Sequence, residues 1–260
     1  MVAEQLLRAG CTGAVVGMAS FTIALPPVVA LGSDAQKARF IPPVLAGEQV
    51  AALAITEPGT GSDVAGVRTR AVRDGDHYVL DGEKTYITSG ARADLVTVLA
   101  RTGEDPHGGL TFFVVERDTP GFSVARTLDK TGWWASDTAE LVFDGCRVPV
   151  ANRIGPEGSG FVALMQNFEQ ERLMLAVNGH ALAEAALDEA IAYSRERVQF
   201  GTTLSEKQGY THGLLVPNAV RLEAARAYIE ETARRLDTDE EDLQVEGSIS
   251  KFFATEAGDR

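Results

Sequence analysis

Hydrophobic and polar positions along this 260-residue chain change period twice. Up to about residue 47 the spacing is helical: a short helix end over 3–8, an apolar segment over 13–31, and a third segment opened by Ser33. Gln36 lies three positions after Ser33, the pairing of a capping box. Pro42-Pro43 is expected to end or kink that helix. From 50 to 150 the period falls to two. The runs 77-HYVLDGEKTYIT-88, 94-DLVTVLAR-101, 110-LTFFVVERD-118, 121-GFSVAR-126 and 139-AELVFDGCRVP-149 predict strands. Asp81-Gly82 and Asp144-Gly145 are expected turn pairs, and short strands at this spacing predict a compact β-barrel or sandwich. After 155-GPEGSG-160, read as the turn into a helix, Phe161, Leu164, Met165, Phe168, Arg172, Leu175, Ala176 and Gly179 restore helical spacing. That helix is expected to run to a stop at Gly201. A further helix is expected over 217–236, then an acidic loop over 237–242 and a last helix from about Leu243. The predicted order is a helical region (1–49), a β domain (50–155) and a second helical region (156–260).

Composition narrows the classes. A net charge of −13 offers no basic stripe for nucleic acid. Two cysteines, Cys11 and Cys146, make no disulfide framework, so a reducing cytoplasm is the default location. The four histidines show no metal-ligand spacing, and no metal is expected. Residues 9–33 carry no charge, but Pro26-Pro27 interrupts them. The uninterrupted part, 11–25, is shorter than the roughly 20 residues a span needs. A buried helix is expected there, not a membrane span.

The chemistry concentrates in 50-VAALAITEPGTGSDVAGVRTRA-71. Gly59, Gly61 and Gly66 let a backbone approach a ligand closely, and Thr56, Thr60 and Ser62 add hydroxyls. The glycines form neither a G-x-G-x-x-G nor a G-K-[ST] loop, so no Rossmann or Walker site is indicated.

The string 54-AITEPGTGSDVAG-66 resembles a signature of the acyl-CoA dehydrogenase family. Four further stretches agree in order: 82-GEKTYITSG-90, 136-SDTAELVFDGCRVP-149, 159-SGFVALMQNFEQERLMLA-176 and 194-SRERVQFG-201. The resemblance implies an α+β multidomain fold with a partial N-terminal helical domain, a central β domain and an incomplete C-terminal four-helix bundle. It implies FAD as cofactor, an acyl-CoA substrate, an electron-transfer flavoprotein as acceptor and a homo-oligomer, dimer or tetramer. Leu53, Ile55, Thr56, Gly61 and Ser62 would line the flavin, with Ser62 also reaching the acyl-CoA. Tyr86, Ile87 and Thr88 match the family's aromatic-Ile-Thr triplet, whose aromatic packs beside the flavin; a typical member has Trp where Tyr86 stands. Arg197 and Phe200 match an R-x-x-F-G element that reaches the FAD of a neighbouring subunit, and Gln208 falls at a flavin-contacting position.

The implied reaction is α,β-dehydrogenation, which needs a carboxylate base whose pKa a dry pocket raises toward neutrality. Glu169 and Glu171 both flank the helical apolar stripe. Two positions apart is roughly 200° around a helix, so they cannot share one pocket, and spacing alone does not choose between them. The resemblance chooses Glu171: long-chain and isovaleryl members carry the base on this helix, one residue before an Arg. Glu169 and Arg172 would then contact the acyl-CoA. The first helices of the family and the end of the bundle have no counterpart here. The reading is therefore of a chain truncated at both ends, expected to bind FAD weakly or to aggregate. The competing readings are an acyl-CoA oxidase, a nitroalkane oxidase or a flavin monooxygenase on the same scaffold, and a catalytically inactive truncated paralogue.

Overall fold

Two twelve-residue strands organise the sheet. A computed structural model describes residues 2–238 and 243–259, and these divide into two units: a sheet unit over Gly13–Asn167, and a helical unit of Met1–Thr12 with Phe168–Arg260. Helix α1 (Val2–Arg8) belongs to the helical unit; α2 (Thr12–Met18), α3 (Phe21–Ala24), α4 (Pro26–Leu31) and α5 (Asp34–Leu45) precede the strands. These are β1 (Ala51–Ala54), β2 (Arg70–Asp74), β3 (His77–Thr88), β4 (Leu95–Arg101), β5 (Leu110–Glu116), β6 (Phe122–Thr127), β7 (Thr138–Pro149) and β8 (Arg153–Ile154). They form one eight-stranded sheet in the order β6-β7-β3-β2-β4-β5-β8, with β1 parallel to β4.

The sheet curls. Tyr78 on β3 and Phe113 on β5 are separated by two intervening strands, yet their ring centroids lie 4.9 Å apart, edge to face. Both rings are buried in one core with Leu80, Val96, Val98, Val115, Leu141 and Phe143. On its other face β4 bonds a helix: Thr97 Oγ1 donates to Ala24 O at 2.8 Å. This two-sided burial explains why β4 and β5 are apolar on both faces.

Local chemistry accounts for the departures from expectation. Asp81-Gly82 and Asp144-Gly145 are not turns; they lie inside β3 and β7, facing each other across an irregularity in the ladder. Gly145 N donates to Asp81 Oδ1 at 2.7 Å, so the Asp81 carboxylate bonds across the ladder and not within a turn of its own. Gly82 sits at φ 149°, and a Cβ there would meet Thr69 Oγ1 at 2.6 Å and Thr69 Cα at 2.7 Å. Gly82→Ala is expected to cost about 2–4 kcal/mol through overpacking and backbone strain. Urea unfolding measures it; an unchanged midpoint would mean that this close approach does not hold. The strands β2 and β8 were not predicted: β2 is mostly exposed and lacks an apolar alternation, and β8 is two residues long.

The segment 13–31 is three short helices, not one buried helix. It breaks at Ala19-Ser20 and again where Pro26 and Pro27 take the first helical positions of α4. By length and composition alone Thr12–Leu31 could cross a membrane. The Ser33–Gln36 capping box is present: Ser33 N donates to Gln36 Oε1 at 2.8 Å and Gln36 N to Ser33 Oγ at 3.3 Å. Pro42 and Pro43 do not end α5. They lie in its last turn, and their carbonyls accept from Ala46 N and Glu48 N.

Helix α6 (Gly160–Glu196) is 37 residues long, and from Phe168 onward it belongs to the helical unit. It stops before Gly201, because a small hairpin of β9 (Val198–Gln199) and β10 (Thr202–Thr203) takes over. Helix α7 (Gln208–Tyr210) passes through a π-turn (Thr211–Leu215) into α8 (Val216–Leu236). Gly213 and Pro217, residue types that break helices, both lie on this unbroken helical path. The wider π-turn absorbs the backbone bond that proline cannot make. The last helix, α9 (Gln244–Asp259), packs Ala254 against Leu173 and Ala176 of α6 and Ala225 and Ile229 of α8. Most of the expected acidic loop, residues 239–242, lies outside the described residues.

Candidate active site

The glycine-rich loop that follows β1 is held at three places. Its tip is a tight turn, with Glu57 N bonding Thr60 O at 2.9 Å and Thr60 N bonding Glu57 O at 3.2 Å. Its start is stitched to β3: Thr85 N donates to Thr56 O at 2.9 Å. Its far end is clamped by Arg101, whose guanidinium donates to Val67 O at 2.8 Å and Ala65 O at 2.7 Å.

Beneath the loop lies a pair that sequence reasoning passed over. Lys84 is 0% exposed and Glu57 7%. Lys84 Nζ donates to Glu57 Oε1 at 2.9 Å and to Ile55 O at 2.8 Å. The Glu57 carboxylate also accepts from Arg68 N at 2.7 Å and Thr69 N at 2.9 Å. Burial works to raise the Glu57 carboxyl, but the Lys84 ammonium and the hydrogen bonds from Thr69 and Arg68 outweigh it and hold it below the ordinary carboxylate value. Burial pushes the Lys84 ammonium down to about 8 against the pull of Glu57.

Just after Lys84 the β3–β7 register slips between Lys84 and Ile87. The bulge reverses which side chains point inward. Lys84 and Thr85 are buried, Tyr86 is 68% exposed at φ 60°, and Ile87 is 2% exposed in the core. A tyrosine in the left-handed region is strained, and such strain gathers at functional positions. Ile87, expected at the flavin, thus has only backbone to offer, because its side chain packs into the sheet core. Ile55 has its carbonyl committed to Lys84. Leu53, Thr56 and Thr88 are half-buried, while Gly61 and Ser62 are exposed. Among the described residues, no protein partner meets the hydroxyls of Thr56, Ser62 and Thr88 or the backbone N–H groups of Gly59, Gly61 and Ser62.

The helical unit holds the remaining expected residues. Glu171 and Arg172 are half-buried on α6, and the Arg172 guanidinium lies 5.8 Å from the centroid of the Phe168 ring. Burial pushes the Glu171 carboxyl up to about 7, and Arg172 pulls it back only in part. Because α6 is a regular helix, Glu169 and Glu171 face different directions. The backbone of Glu169 meets α9, where a Cβ on Gly247 would lie 3.1 Å from Glu169 O. Arg197, Phe200 and Gln208 come together around the β9–β10 hairpin, all exposed. Phe200 is 98% exposed at φ 54°, with Lys207 Nζ 5.7 Å from its ring centroid. Among the described residues no group of three His, Cys, Asp or Glu side chains is placed to hold a metal.

Three family models match in chain order: acyl-CoA dehydrogenase N-terminal domain over residues 1–48, middle domain over 52–146 and C-terminal domain over 158–260. A crystal structure from Mycobacterium abscessus, described as a probable acyl CoA dehydrogenase, superposes with a TM-score of 0.95 at 46% identity, over 99% of this chain and 68% of that one. The chain belongs to the acyl-CoA dehydrogenase family. Its curated relatives include isobutyryl-CoA dehydrogenase of Bos taurus, 38% identical over 97% of this chain and 60% of the relative. Isovaleryl-CoA dehydrogenase of Pongo abelii is also 38% identical, over 91% of this chain and 56% of the relative. The chain thus spans about three-fifths of the length of these acyl-CoA dehydrogenases.

Proposed function

We propose that this chain performs FAD-dependent α,β-dehydrogenation of an acyl-CoA thioester, giving the trans-2-enoyl-CoA. The observation that carries the reading is Glu171, a half-buried carboxylate pushed up to about 7 that forms no ion pair or hydrogen bond with any described group. A carboxylate tuned to neutrality has the basicity to accept a weakly acidic α-proton at physiological pH.

The loop and bulge of the sheet unit fit FAD by their chemistry. A flavin ring edge alternates donors and acceptors. The three unpartnered hydroxyls and three unpartnered amides supply both kinds of complement, and the exposed Tyr86 supplies a flat apolar face. When bound, FAD supplies the two-electron acceptor for the hydride that leaves the β-carbon. Glu171 takes the α-proton onto a carboxylate oxygen, and the electrons of the broken Cα–H bond become the new carbon–carbon π bond. Thr56, Tyr86 and Thr88 hold the ring. Arg197 suits a pyrophosphate through paired donors, with Phe200 and Gln208 beside it. Ser62, Glu169 and Arg172 handle the thioester end. The relatives named for isobutyryl- and isovaleryl-CoA support a short branched acyl group. Exposed apolar residues on α9, among them Val245 and Phe252, and the outlying Phe200 support a homo-oligomer. An electron-transfer flavoprotein takes the electrons, in the cytoplasm.

The test is an anaerobic titration of the FAD-loaded chain with isobutyryl-CoA, isovaleryl-CoA and a long straight acyl-CoA. Bleaching of the flavin band with formation of the enoyl-CoA is expected. A loaded chain that no acyl-CoA bleaches would contradict the reading. The bleaching rate is also expected to fall as pH drops below about 7, because a protonated Glu171 cannot accept the α-proton. A rate flat between pH 6 and 8, about one unit to either side of that value, would count against Glu171 as the base.

A further inference from the structure

We propose that the buried Lys84–Glu57 pair is the positioning device of the flavin cradle, acting through a bridge from the Lys84 ammonium to both sides of Thr56. This rests on the reading of that loop as a flavin site, and it assigns residues that the reading leaves idle. The geometry is specific. Lys84 Nζ bonds Ile55 O at 2.8 Å and Glu57 Oε1 at 2.9 Å, so the residues before and after Thr56 are both tied to one nitrogen. Two positions further along β3 stands Tyr86, and Thr88 follows it; Thr85 N closes the assembly on Thr56 O at 2.9 Å. One buried cation therefore fixes the spacing between the loop strip and the bulge strip.

A pair devoted only to stability would be an odd choice here. Replacing a buried ion pair by apolar residues of similar volume is often neutral or stabilising, whereas leaving one charge alone is costly. What the ammonium supplies, and an apolar side chain cannot, is a directed bond to the Ile55 carbonyl. Glu57 is the one charged group acting on Lys84 among the described residues, and β7 presents Leu141 opposite it. Neither Lys84 nor Glu57 touches the reacting carbons; both act through the Thr56 and Tyr86–Thr88 strips.

The device makes cradle order depend on the charge of one lysine. The ammonium is held at about 8, so its bond to Glu57 weakens as pH rises through that value. The fold responds in the opposite sense. An amine depressed from its ordinary 10.5 releases its proton more readily when folded, so its contribution to stability improves as pH rises between about 8 and 10.5. Cradle order and global stability therefore separate above pH 8.

The experiment titrates the 260-residue chain with FAD, followed by flavin fluorescence, from about pH 6 to pH 9.5, a range that spans the Lys84 transition. Thermal unfolding is measured in parallel, for wild type, Lys84→Met and the double variant Lys84→Met/Glu57→Gln. The double variant removes both charges and guards against a single variant that fails to fold. Wild type is expected to lose FAD affinity above about pH 8 without a matching fall in thermal stability. The double variant is expected to fold, to bind FAD about tenfold more weakly or worse at pH 7, and to show no step near pH 8. Hydrogen exchange of the Thr85 amide, corrected for intrinsic base catalysis, reads the loop without flavin. It should lose protection in the double variant and in wild type above pH 8. Exchange behaving as expected while no variant binds FAD would overturn the flavin reading but leave the bridge standing. A double variant that binds FAD as wild type does, with unchanged Thr85 protection and a wild-type profile flat through pH 8, would overturn the proposal.

Discussion

Glu171→Gln is expected to lose about 10²- to 10⁴-fold in the rate at which acyl-CoA bleaches the bound flavin, with FAD still bound. The substitution keeps the shape and removes the acceptor. Its effect on stability should have the opposite sign. A carboxyl raised to about 7 when folded, against an ordinary value of 4.5, contributes stability that is fully present below 4.5 and lost as pH rises through about 7. At pH 8 the wild-type side chain is a half-buried charge, and glutamine removes it. The variant should therefore melt at the same temperature as wild type or slightly higher at pH 8, and lose any advantage near pH 5. A variant that is both inactive and markedly unstable at pH 8 would point to a structural role for Glu171.

Phe113→Ala is expected to cost about 3–5 kcal/mol, the range for deleting a fully buried aromatic ring. The site leaves little room to collapse. Phe113 is 0% exposed, and its ring meets Tyr78 at 4.9 Å across the curl of the sheet. The same contact spans the curl between β3 and β5, so its loss should lower the urea midpoint of the sheet unit and raise hydrogen exchange in β3 and β5 together. A loss of protection confined to β5 would mean that the curl does not depend on this pair.

The long strands were legible because twelve residues of alternation outweigh any single turn signal. That same length turned Asp81-Gly82 and Asp144-Gly145 from turns into facing irregularities, which only pairing between β3 and β7 could reveal. The proline pairs read differently. At 26–27 they took the first turn of a helix, where a missing N–H leaves no acceptor unpaired; at 42–43 they lie in the last turn, where they cannot donate back along the helix but their own carbonyls still accept from Ala46 N and Glu48 N. The candidate site was legible in its hydroxyls, glycines and Tyr86, and its support was not. Yet the signal was present. Tyr78, Leu80 and Gly82 occupy the inward phase of β3, and Lys84 continues it. A lysine in that phase requires a buried counter-charge, and of the loop's two acids, Glu57 and Asp63, Glu57 is the one beside Thr56, where the loop bonds that strand. The switch of phase between Lys84 and Ile87 is equally readable, and it is the bulge that sends Tyr86 outward.

The central claim is that the carboxylate of Glu171 removes the α-proton. Exchange of that proton with solvent reports on the base alone, since no electron need move. The FAD-loaded chain would be incubated in D₂O with a saturated acyl-CoA whose β-carbon cannot release hydride, and deuterium at the α-carbon followed by mass spectrometry. The account predicts incorporation by wild type that declines below about pH 7 and none above background by Glu171→Gln. Exchange by Glu171→Gln at the wild-type rate would contradict it.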